Sequence, residues 1–377
     1  MDPFVAEQAA HIAARAERDL EALVAVSSPS GDVRAADECA AVAAALAPEE
    51  AVAERVPCSS PAHAQDLVMR VTGTGRGRAL LLGHLDTVVP HAAHRPLHVH
   101  GDRLVGSGSV DMKGGDVLAL GVLRALARRP ADFRQVALLL VVDEEWRTAP
   151  FGHADRFAGW DACLCFEAGQ IGPGGAEAVV ARRKAAGTVR VRAHGRAAHA
   201  GSAPDRGANA LLALATAAQA VAACHDPEGP RHRSAVPTVV RSGEAFNVVP
   251  AEGELTCDVR ADDLAAIEEV LAAVPGEVDG ARLEADQLRR WPGMDSRAAV
   301  GPLLERAGAA LGRRLHAGAR GGASDASHFA PSIPLTVDGL GPRGGAAHNP
   351  DEYVARDSIA PRAEIALALT LAALDAL

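Results

Sequence analysis

Histidine and acidic side chains recur in short motifs that directly follow apolar segments of the chain. His84 and Asp86 lie in Gly83-His-Leu-Asp-Thr87, immediately after the apolar segment 79–82. A histidine two residues before an aspartate at the end of a strand places both side chains on one face. The aspartate can then hold the imidazole so that its other nitrogen faces a metal ion.

Four further motifs bring carboxylates and a second histidine after strands or glycine-rich loops. Asp111 lies within the glycine-rich segment 106–115, where small residues let a ligand approach the backbone closely. The acidic run Asp143–Glu145 would repel itself at the end of a buried strand unless a cation neutralised it. The other two motifs contain Glu167, which follows another apolar segment, and His348, which follows a glycine-rich loop.

Each of these motifs has a simpler interpretation when it is taken alone. Runs of acids are common in surface turns, and a single histidine in a loop is usually solvated. Together, however, the motifs follow strands of one sheet, at the edge where open α/β folds bind ligands. Imidazole and carboxylate suit Zn²⁺, with Co²⁺ or Mn²⁺ as substitutes. The carboxylates are too many for one tetrahedral ion, so the motifs predict two metals that share one acid.

The order of the predicted elements indicates the sheet that positions these motifs. Apolar segments at 79–83, 136–142 and 161–166 predict buried strands. Continuous apolar strands that alternate with helices are typical of an α/β fold with a largely parallel sheet covered on both faces. The predicted helices lie at 3–25, 33–46, 117–128 and 357–376.

The pattern changes near residue 186. Segment 188–193 alternates apolar and polar residues, as a half-exposed strand does. The following elements predict a β-α-β-β-α-β order, typical of a separate ferredoxin-like α+β domain. They comprise helices at 207–224 and 262–273 and strands at 236–242, 252–260 and 281–288. We therefore predict a catalytic domain of residues 1–185 and 295–377, with residues 186–294 inserted into it.

Composition and charge exclude several classes of partner. The 377-residue chain has a formal net charge of −10 and a pI of about 5.8, which disfavours binding to nucleic acid. The N-terminus lacks the features of a signal peptide, and no apolar stretch is long enough to predict a membrane span. The six cysteines have no disulfide-like spacing. They predict buried free thiols in a cytoplasmic enzyme.

Other histidines match no ligand position. His91, His94, His98 and His100 lie in a proline-containing connector, which we interpret as a solvated loop. His328 is likewise predicted to be a solvated loop residue.

The five motifs, in this order and spacing, resemble those of the M20 family of metallopeptidases, and within it the glutamate carboxypeptidase group. The resemblance covers essentially the whole chain, including the inserted domain. It implies two zinc ions per chain, with Asp111 as their shared ligand and a cis peptide bond after it. It also implies that His84 and Glu167 bind one zinc, Glu145 and His348 bind the other, Asp86 orients His84, and Glu144 is the general base.

The resemblance also implies that the inserted domain is a lid and dimerisation domain. His199 would reach the active site of the partner subunit in a homodimer and stabilise the oxyanion. Asn247 and Arg260 would contact the carboxylate of the substrate. Gly322 and Ser324 would lie in a loop that lines the substrate pocket.

The reaction expected from the resemblance is hydrolysis of an amide bond by a water that bridges the two zinc ions. The substrate would be a small peptide or an N-acyl amino acid with a free carboxylate, and C-terminal glutamate is one candidate. An N-acyl-amino-acid deacylase acting on acetyl, succinyl or carrier-protein-linked substrates is the close alternative, followed by a dipeptidase or aminopeptidase. A non-catalytic binding protein is disfavoured because every ligand and the base are present. Segment Trp146–Gly152 replaces the Gly-Ser-containing turn that the family usually has, which leaves the substrate open.

Overall fold

The structure, a computed structural model, describes residues 1–375 and contains two compact units. The first unit comprises residues 1–182, residues 295–320 and the chain from Ser324 onward. The second comprises residues 183–294 and 321–323. The role of the inserted domain as a lid stays a prediction.

Several helices begin at residues whose side chains satisfy the free N–H groups of the first turn. Asp2 accepts a hydrogen bond from the backbone N–H of Phe4 at 2.8 Å, and Pro3 suits the first helical position because no N–H donor is needed there. Asp32 caps the second helix in the same way. The helices are α1 (Pro3–Val24), α2 (Val33–Ala45), α3 (Gly114–Ala127), α4 (Ala210–Ala223), α5 (Leu264–Ala272), α6 (Arg297–Leu311), α7 (Ala326–Phe329) and α8 (Ile359–Leu374).

A strand lies at each apolar segment from which one was predicted, although the strand Gln135–Val141 begins and ends one residue before the predicted segment and the strand Ala162–Cys165 is one residue shorter at each end. The strands are β1 (Val52–Val56), β2 (Asp66–Thr72), β3 (Arg78–His84), β4 (His98–His100), β5 (Arg103–Val105), β6 (Gln135–Val141), β7 (Ala162–Cys165), β8 (Gln170–Ile171), β9 (Glu177–Arg183), β10 (Ala185–His194), β11 (Ser234–Ser242), β12 (Glu252–Ala261), β13 (Glu277–Val278), β14 (Ala281–Trp291), β15 (Met294–Asp295), β16 (His316–Arg320), β17 (Leu335–Val337), β18 (Gly344–Gly345) and β19 (Tyr353–Ala355).

A six-stranded sheet in the first unit has the order β1-β2-β6-β3-β7-β17. Strands β6, β3, β7 and β17 run parallel to one another, which confirms the mainly parallel sheet. Strands β1 and β2 add an antiparallel edge that was not predicted. Strand β1 is mostly exposed and carries no apolar run, so its sequence gives little signal.

The centre of this sheet is covered on both faces. Leu80 and Leu81 are neighbours on β3, so their side chains point to opposite faces, and both are fully buried. Helices α1, α3 and α8 contact one another, and α3 and α8 also contact β3. Burial of these apolar side chains is the main driving force that holds the sheet in place.

The second unit has its own core beneath an antiparallel sheet of order β11-β12-β10-β14-β13. Along the chain, its principal elements follow the β-α-β-β-α-β order that the sequence predicted. Helices α4 and α5 both contact β10, β12 and β14, and burial alternates along β12. The helices therefore lie on one face of the sheet.

The cysteines are all free thiols, four of them buried and two half-buried, which confirms that they form no disulfide framework. Among residues 1–375, no helix combines the length and the apolar character needed to cross a bilayer.

The histidines of the connector are exposed, as predicted, except for His94, which is half-buried. His98 and His100, however, lie in strand β4 and not in a loop. The prediction for His328 is wrong. This residue lies in α7 with 12% of its side chain exposed, and its ring stacks on Phe151 with a centroid distance of 4.6 Å. The aromatic contact removes it from water, and no short-range pattern in the sequence signals that contact.

One glycine in α3 permits a close approach that links the fold to the site. A Cβ atom on Gly115 would lie 1.8 Å from the backbone oxygen of Phe166, which immediately precedes Glu167. Gly115→Ala should therefore displace the end of β7 and destabilise the protein by about 1–3 kcal/mol, as overpacking does. Denaturant unfolding measures the loss. Gly276→Ala is the matched control because nothing lies within 4 Å of its Cβ position, and equal stability of the two variants would contradict this account.

Candidate metal centre

Three neighbouring parallel strands, in the order β6-β3-β7, bring most of the predicted ligands to one edge of the sheet. His84 is the last residue of β3. Glu144 and Glu145 follow β6, and Glu167 follows β7. Parallel strands end at the same edge, so their registers bring these side chains close together.

The fourth segment of the site is the loop that carries Asp111. The carboxylate of Glu352 accepts three backbone hydrogen bonds from this loop, from Gly108 at 3.0 Å, Val110 at 2.8 Å and Asp111 at 2.9 Å. The Asp111–Met112 peptide bond is cis, as the family resemblance implied. Glu352 thus fixes the backbone from which the Asp111 side chain projects.

Asp111 lies between two clusters of potential ligands and offers one oxygen to each. Its Oδ1 lies 3.1 Å from His84 Nε2, and its Oδ2 lies 3.2 Å from His348 Nε2. His84 Nε2 also lies 3.9 Å from Glu167 Oε1, and His348 Nε2 lies 3.2 Å from Glu145 Oε1. The ligand atoms of each cluster all lie within 4.8 Å of one another.

The donor set fits two divalent cations. Each cluster combines one imidazole nitrogen with carboxylate oxygens, a set that suits Zn²⁺, Co²⁺ or Mn²⁺. Hydrogen bonds with Asp111 and Glu145 raise the pKa of His348 to about 10 because both carboxylates favour a positive charge at this position. A cation supplies that charge without a proton. His84, Asp111 and Glu167 could hold one ion, and Asp111, Glu145 and His348 the other.

Asp86 connects β3 to the acidic turn that follows β6. Its two carboxylate oxygens accept hydrogen bonds from the backbone N–H groups of Glu144 and Glu145, each at 3.1 Å. Its Oδ1 also lies 3.4 Å from Nδ1 of His84, the ring nitrogen opposite the one that faces Asp111. Asp86 therefore contacts both the imidazole that it was expected to orient and the turn that carries the expected base.

Glu144 belongs to neither cluster of ligands found among the described residues, although it lies next to Glu145 in the chain. Burial and the nearby carboxylates of Asp325 and Glu167 raise the pKa of Glu144 well above its usual value. A carboxylate with a raised pKa is a better proton acceptor. This property suits the role of general base.

Buried residues outside the predicted set complete the site. Glu352 is 1% exposed, and burial raises its pKa to about 7 although three backbone N–H groups oppose the shift. Lys113 is also buried and donates to the carbonyl oxygens of Leu23 at 3.2 Å and Val26 at 2.8 Å. Both residues lie in motifs singled out from the sequence. Their acid and ammonium groups were the available signal, but no partner could be assigned to them.

The other predicted residues lie mostly in the second unit. His199 is exposed, and its Nδ1 accepts hydrogen bonds from the backbone of Gly201 at 3.1 Å and Ser202 at 3.2 Å. The backbone carbonyl of Asn247 accepts from Ala200 at 2.9 Å, so His199 and Asn247 lie on adjacent segments.

The remaining predicted substrate contacts are divided between the units. The guanidinium group of Arg260 donates to Asp258 on the same strand, with Nη2 3.0 Å from Oδ1. Gly322 belongs to the second unit. Ser324 belongs to the first unit and is fully buried, and its hydroxyl lies 3.7 Å from the sulfur of Cys165.

Comparison with known proteins gives a consistent set of relatives. The family described as peptidase family M20/M25/M40 matches residues 80–372 of this chain. Carboxypeptidase G2 from Pseudomonas sp. (strain RS-16) is 30% identical over 204 residues, which is 52% of this chain and 47% of that protein. The matched region therefore spans about half the length of this relative. Succinyl-diaminopimelate desuccinylase from Methylobacterium sp. (strain 4-46) is 30% identical over 308 residues, covering 73% of this chain and 75% of the relative.

A solved structure supports the fold assignment. The YXEP protein of Bacillus subtilis, described as a dinuclear metal-binding peptidase of the M20 family, superimposes with a TM-score of 0.70. The two chains are 16% identical, and the alignment covers 97% of this chain and 99% of the other. At this identity the likeness establishes the shared fold alone.

The two clusters predict distinct metal contents for single-ligand variants. Asp111→Ala should lose both ions because each cluster loses a ligand, whereas His348→Ala should lose only the ion of its own cluster. Metal analysis of dialysed protein measures the number of ions per chain. His100→Ala removes an exposed histidine outside the site and is the control. Two tightly held ions in Asp111→Ala would rule out a shared ligand at this position.

Proposed function

The chain belongs to peptidase family M20/M25/M40, and we propose that it is a two-zinc amidohydrolase of the carboxypeptidase type. Its substrate would be a small peptide or an N-acyl amino acid with a free carboxylate next to the cleaved amide. The observation that carries the proposal is the position of Asp111, with one oxygen facing each histidine-containing cluster. Glu144 lies beside this pair of clusters in the acidic turn, and its raised pKa suits a base.

Bound divalent ions would lower the pKa of the attacking water and polarise the scissile carbonyl group. Glu144 would accept the proton of that water and then pass it to the leaving nitrogen. Asp86 holds the backbone of Glu144 through a 3.1 Å hydrogen bond, which keeps the base in a defined position. Such fixed geometry is worth a large part of the rate enhancement of an enzyme.

The second unit would supply the groups that recognise the substrate. We propose that Arg260 pairs with the substrate carboxylate through its forked N–H donors, and that Asn247 donates a further hydrogen bond. The pairing of Arg260 with Asp258 supports this role because it orients the guanidinium group before substrate binds. Gly322 and Ser324 would line the pocket through their loop.

His199 would act on the active site of a partner subunit and stabilise the oxyanion. Nδ1 of His199 accepts hydrogen bonds from the backbone, so the ring proton lies on Nε2. This supports the proposal because Nε2 is the atom that would donate to the oxyanion.

We propose a homodimer that forms through the second unit. Strand β11 lies at the edge of its sheet and exposes Val236, Val239 and Val240. On α4, which contacts β11, Leu211 and Leu212 are also exposed. An apolar edge strand beside an apolar helix face is a surface that a second copy can cover.

An N-acyl-amino-acid deacylase is the second candidate function, and its support is the 30% identity with a protein named for desuccinylation. Both functions use the same chemistry and differ in the acyl group. The free thiols support a cytoplasmic location for either.

A hydrolysis panel tests the proposed function. It compares peptides ending in Glu, Asp or a neutral residue with acetyl-, succinyl- and aroyl-amino acids, each with a free or an amidated carboxylate. We expect metal-dependent cleavage that needs the free carboxylate, and a loss of about 10²–10⁴-fold in Glu144→Gln, which removes the base but retains both ions. Cleavage that instead required a free α-amine would refute the carboxypeptidase proposal, and an active Glu144→Gln would refute the base.

Mixed dimers test the shared site. His199→Ala and Glu144→Gln should each be inactive as homodimers, because each lacks one group at both sites. Randomly mixed subunits should recover about a quarter of the wild-type activity, since half of the dimers are mixed and each has one intact site. The measurement is activity after joint refolding or co-expression. No recovery, despite confirmed exchange of subunits, would place His199 outside the partner's site.

A further inference from the structure

We propose that Arg147 is a positioning residue for this reaction, which clamps the acidic turn to the loop that carries Asp325. The inference rests on the proposed function and deepens it. Arg147 lies in the segment Trp146–Gly152, where the sequence departs from the Gly-Ser turn of the family that the chain resembles. It donates hydrogen bonds to Asp143 and Asp325, neither of which belongs to a ligand cluster. It would act through Asp143, the residue immediately before Glu144.

The contacts of Arg147 form a double clamp between two carboxylates. Its Nε and Nη2 donate to Oδ1 of Asp143 at 3.2 and 2.9 Å. Its Nη2 also donates to Oδ2 of Asp325 at 2.7 Å, and its Nη1 donates to the other oxygen of Asp325. The planar guanidinium group thus engages both acids through four N–H···O bonds in a fixed geometry, which the three donors on a lysine ammonium cannot reproduce.

All three groups are removed from water. The side chains of Arg147, Asp143 and Asp325 are 2%, 0% and 4% exposed. Replacing a buried cluster of ions by apolar residues is often neutral or stabilising, so stability alone does not account for this arrangement. Its distinguishing property is geometry, because each carboxylate accepts two buried hydrogen bonds from the same rigid group and has little freedom to move.

The clamp completes the support of the acidic turn. On one side, Asp86 accepts hydrogen bonds from the N–H groups of Glu144 and Glu145. On the other side, Asp143 is held by Arg147 and also accepts from the N–H and hydroxyl groups of Ser60, at 3.0 and 2.7 Å. The turn is therefore anchored immediately before the base and at the base itself.

The segment that carries Arg147 and follows the acidic turn is also anchored, which limits the movement of Arg147 itself. Asp66 accepts hydrogen bonds from the N–H of Val142, before the turn, and from His153 Nε2 at 2.7 Å, after it. The guanidinium group of Arg147 also lies 4.8 Å from the ring centroid of Phe151. Asp66 thus holds together the two ends of the segment 142–153.

A shift of the turn should affect the chemical step more than substrate binding. The proton transfer by Glu144 depends on sub-ångström placement, and a displacement of about 1 Å can reduce a rate by about 10²-fold. The proposed carboxylate contacts, Asn247 and Arg260, lie in the other unit and are not part of the clamp. Loss of Arg147 should therefore lower kcat and leave KM largely unchanged.

Hydrogen–deuterium exchange tests the clamp independently of any activity. In Arg147→Lys, amides of residues 143–148 and 324–328 should exchange faster than in the wild type, because a lysine ammonium cannot reproduce the four hydrogen bonds of the guanidinium group. Arg124→Lys is the control, since Arg124 forms a comparable pair with the buried Asp19 at 2.8 Å elsewhere in the first unit. Unchanged exchange in both segments of Arg147→Lys would overturn the clamp, even if the enzyme were inactive on every substrate tested.

Kinetics on the best substrate of the panel test the positioning role. We expect Arg147→Met to reduce kcat by about 10²-fold with KM and metal content preserved, and Arg147→Lys to lie between it and the wild type. Asp325→Asn should reduce kcat similarly, and the Arg147→Lys/Asp325→Asn double variant should lose less than the product of the two single losses. Arg124→Lys should keep its kcat. The positioning role would be wrong if kcat were unchanged in the Arg147 variants. It would also be wrong if these variants lost their metal together with their activity. An inactive wild type would refute the proposed function alone.

Discussion

The carboxylates of Asp111, Glu145 and Glu167 are gathered with two imidazoles into clusters whose ligand atoms lie within 4.8 Å of one another. Carboxylates at such distances repel one another, and burial raises the pKa of Glu145. Only added positive charge relieves this repulsion. Two divalent ions would supply more positive charge than two protonated histidines. The rest of the first unit holds the acids in the positions that such ions require.

That support comes from charged groups that are themselves buried and fixed by the backbone. Asp86 holds the acidic turn, Glu352 holds the loop of Asp111, and Arg147 joins Asp143 to Asp325. Each supporting group connects segments that are distant in the chain. A buried charge is tolerated only when it is paired, so each of these contacts forms only when both of the segments that it connects are in place.

The sequence was sufficient to predict the parallel sheet and to single out candidate ligands, because apolar segments with acids or histidines at their ends report local structure and chemistry together. The metal-binding roles of those residues stay a prediction. Of the supporting residues, Asp86 was expected from its motif, but the contacts of Glu352 and Arg147 were not predictable in the same way. Arg147 and Asp325 are 178 positions apart, and nothing in the local pattern of either signals the other. For the same reason the aromatic environment of His328 was missed, since its partner Phe151 belongs to a distant segment. Strand β1 was missed because it is short and largely exposed.

The hydrogen bonds of Glu352 with the Asp111 loop span 241–244 positions of a 377-residue chain. During synthesis, the N-terminal strands and helices leave the ribosome long before this glutamate exists. Contacts between residues so far apart in sequence form slowly and late in folding. The loop that carries Asp111 therefore acquires this support only after residue 352 has been synthesised. A nascent chain that has not yet reached Glu352 would lack the three hydrogen bonds that fix the backbone of Asp111.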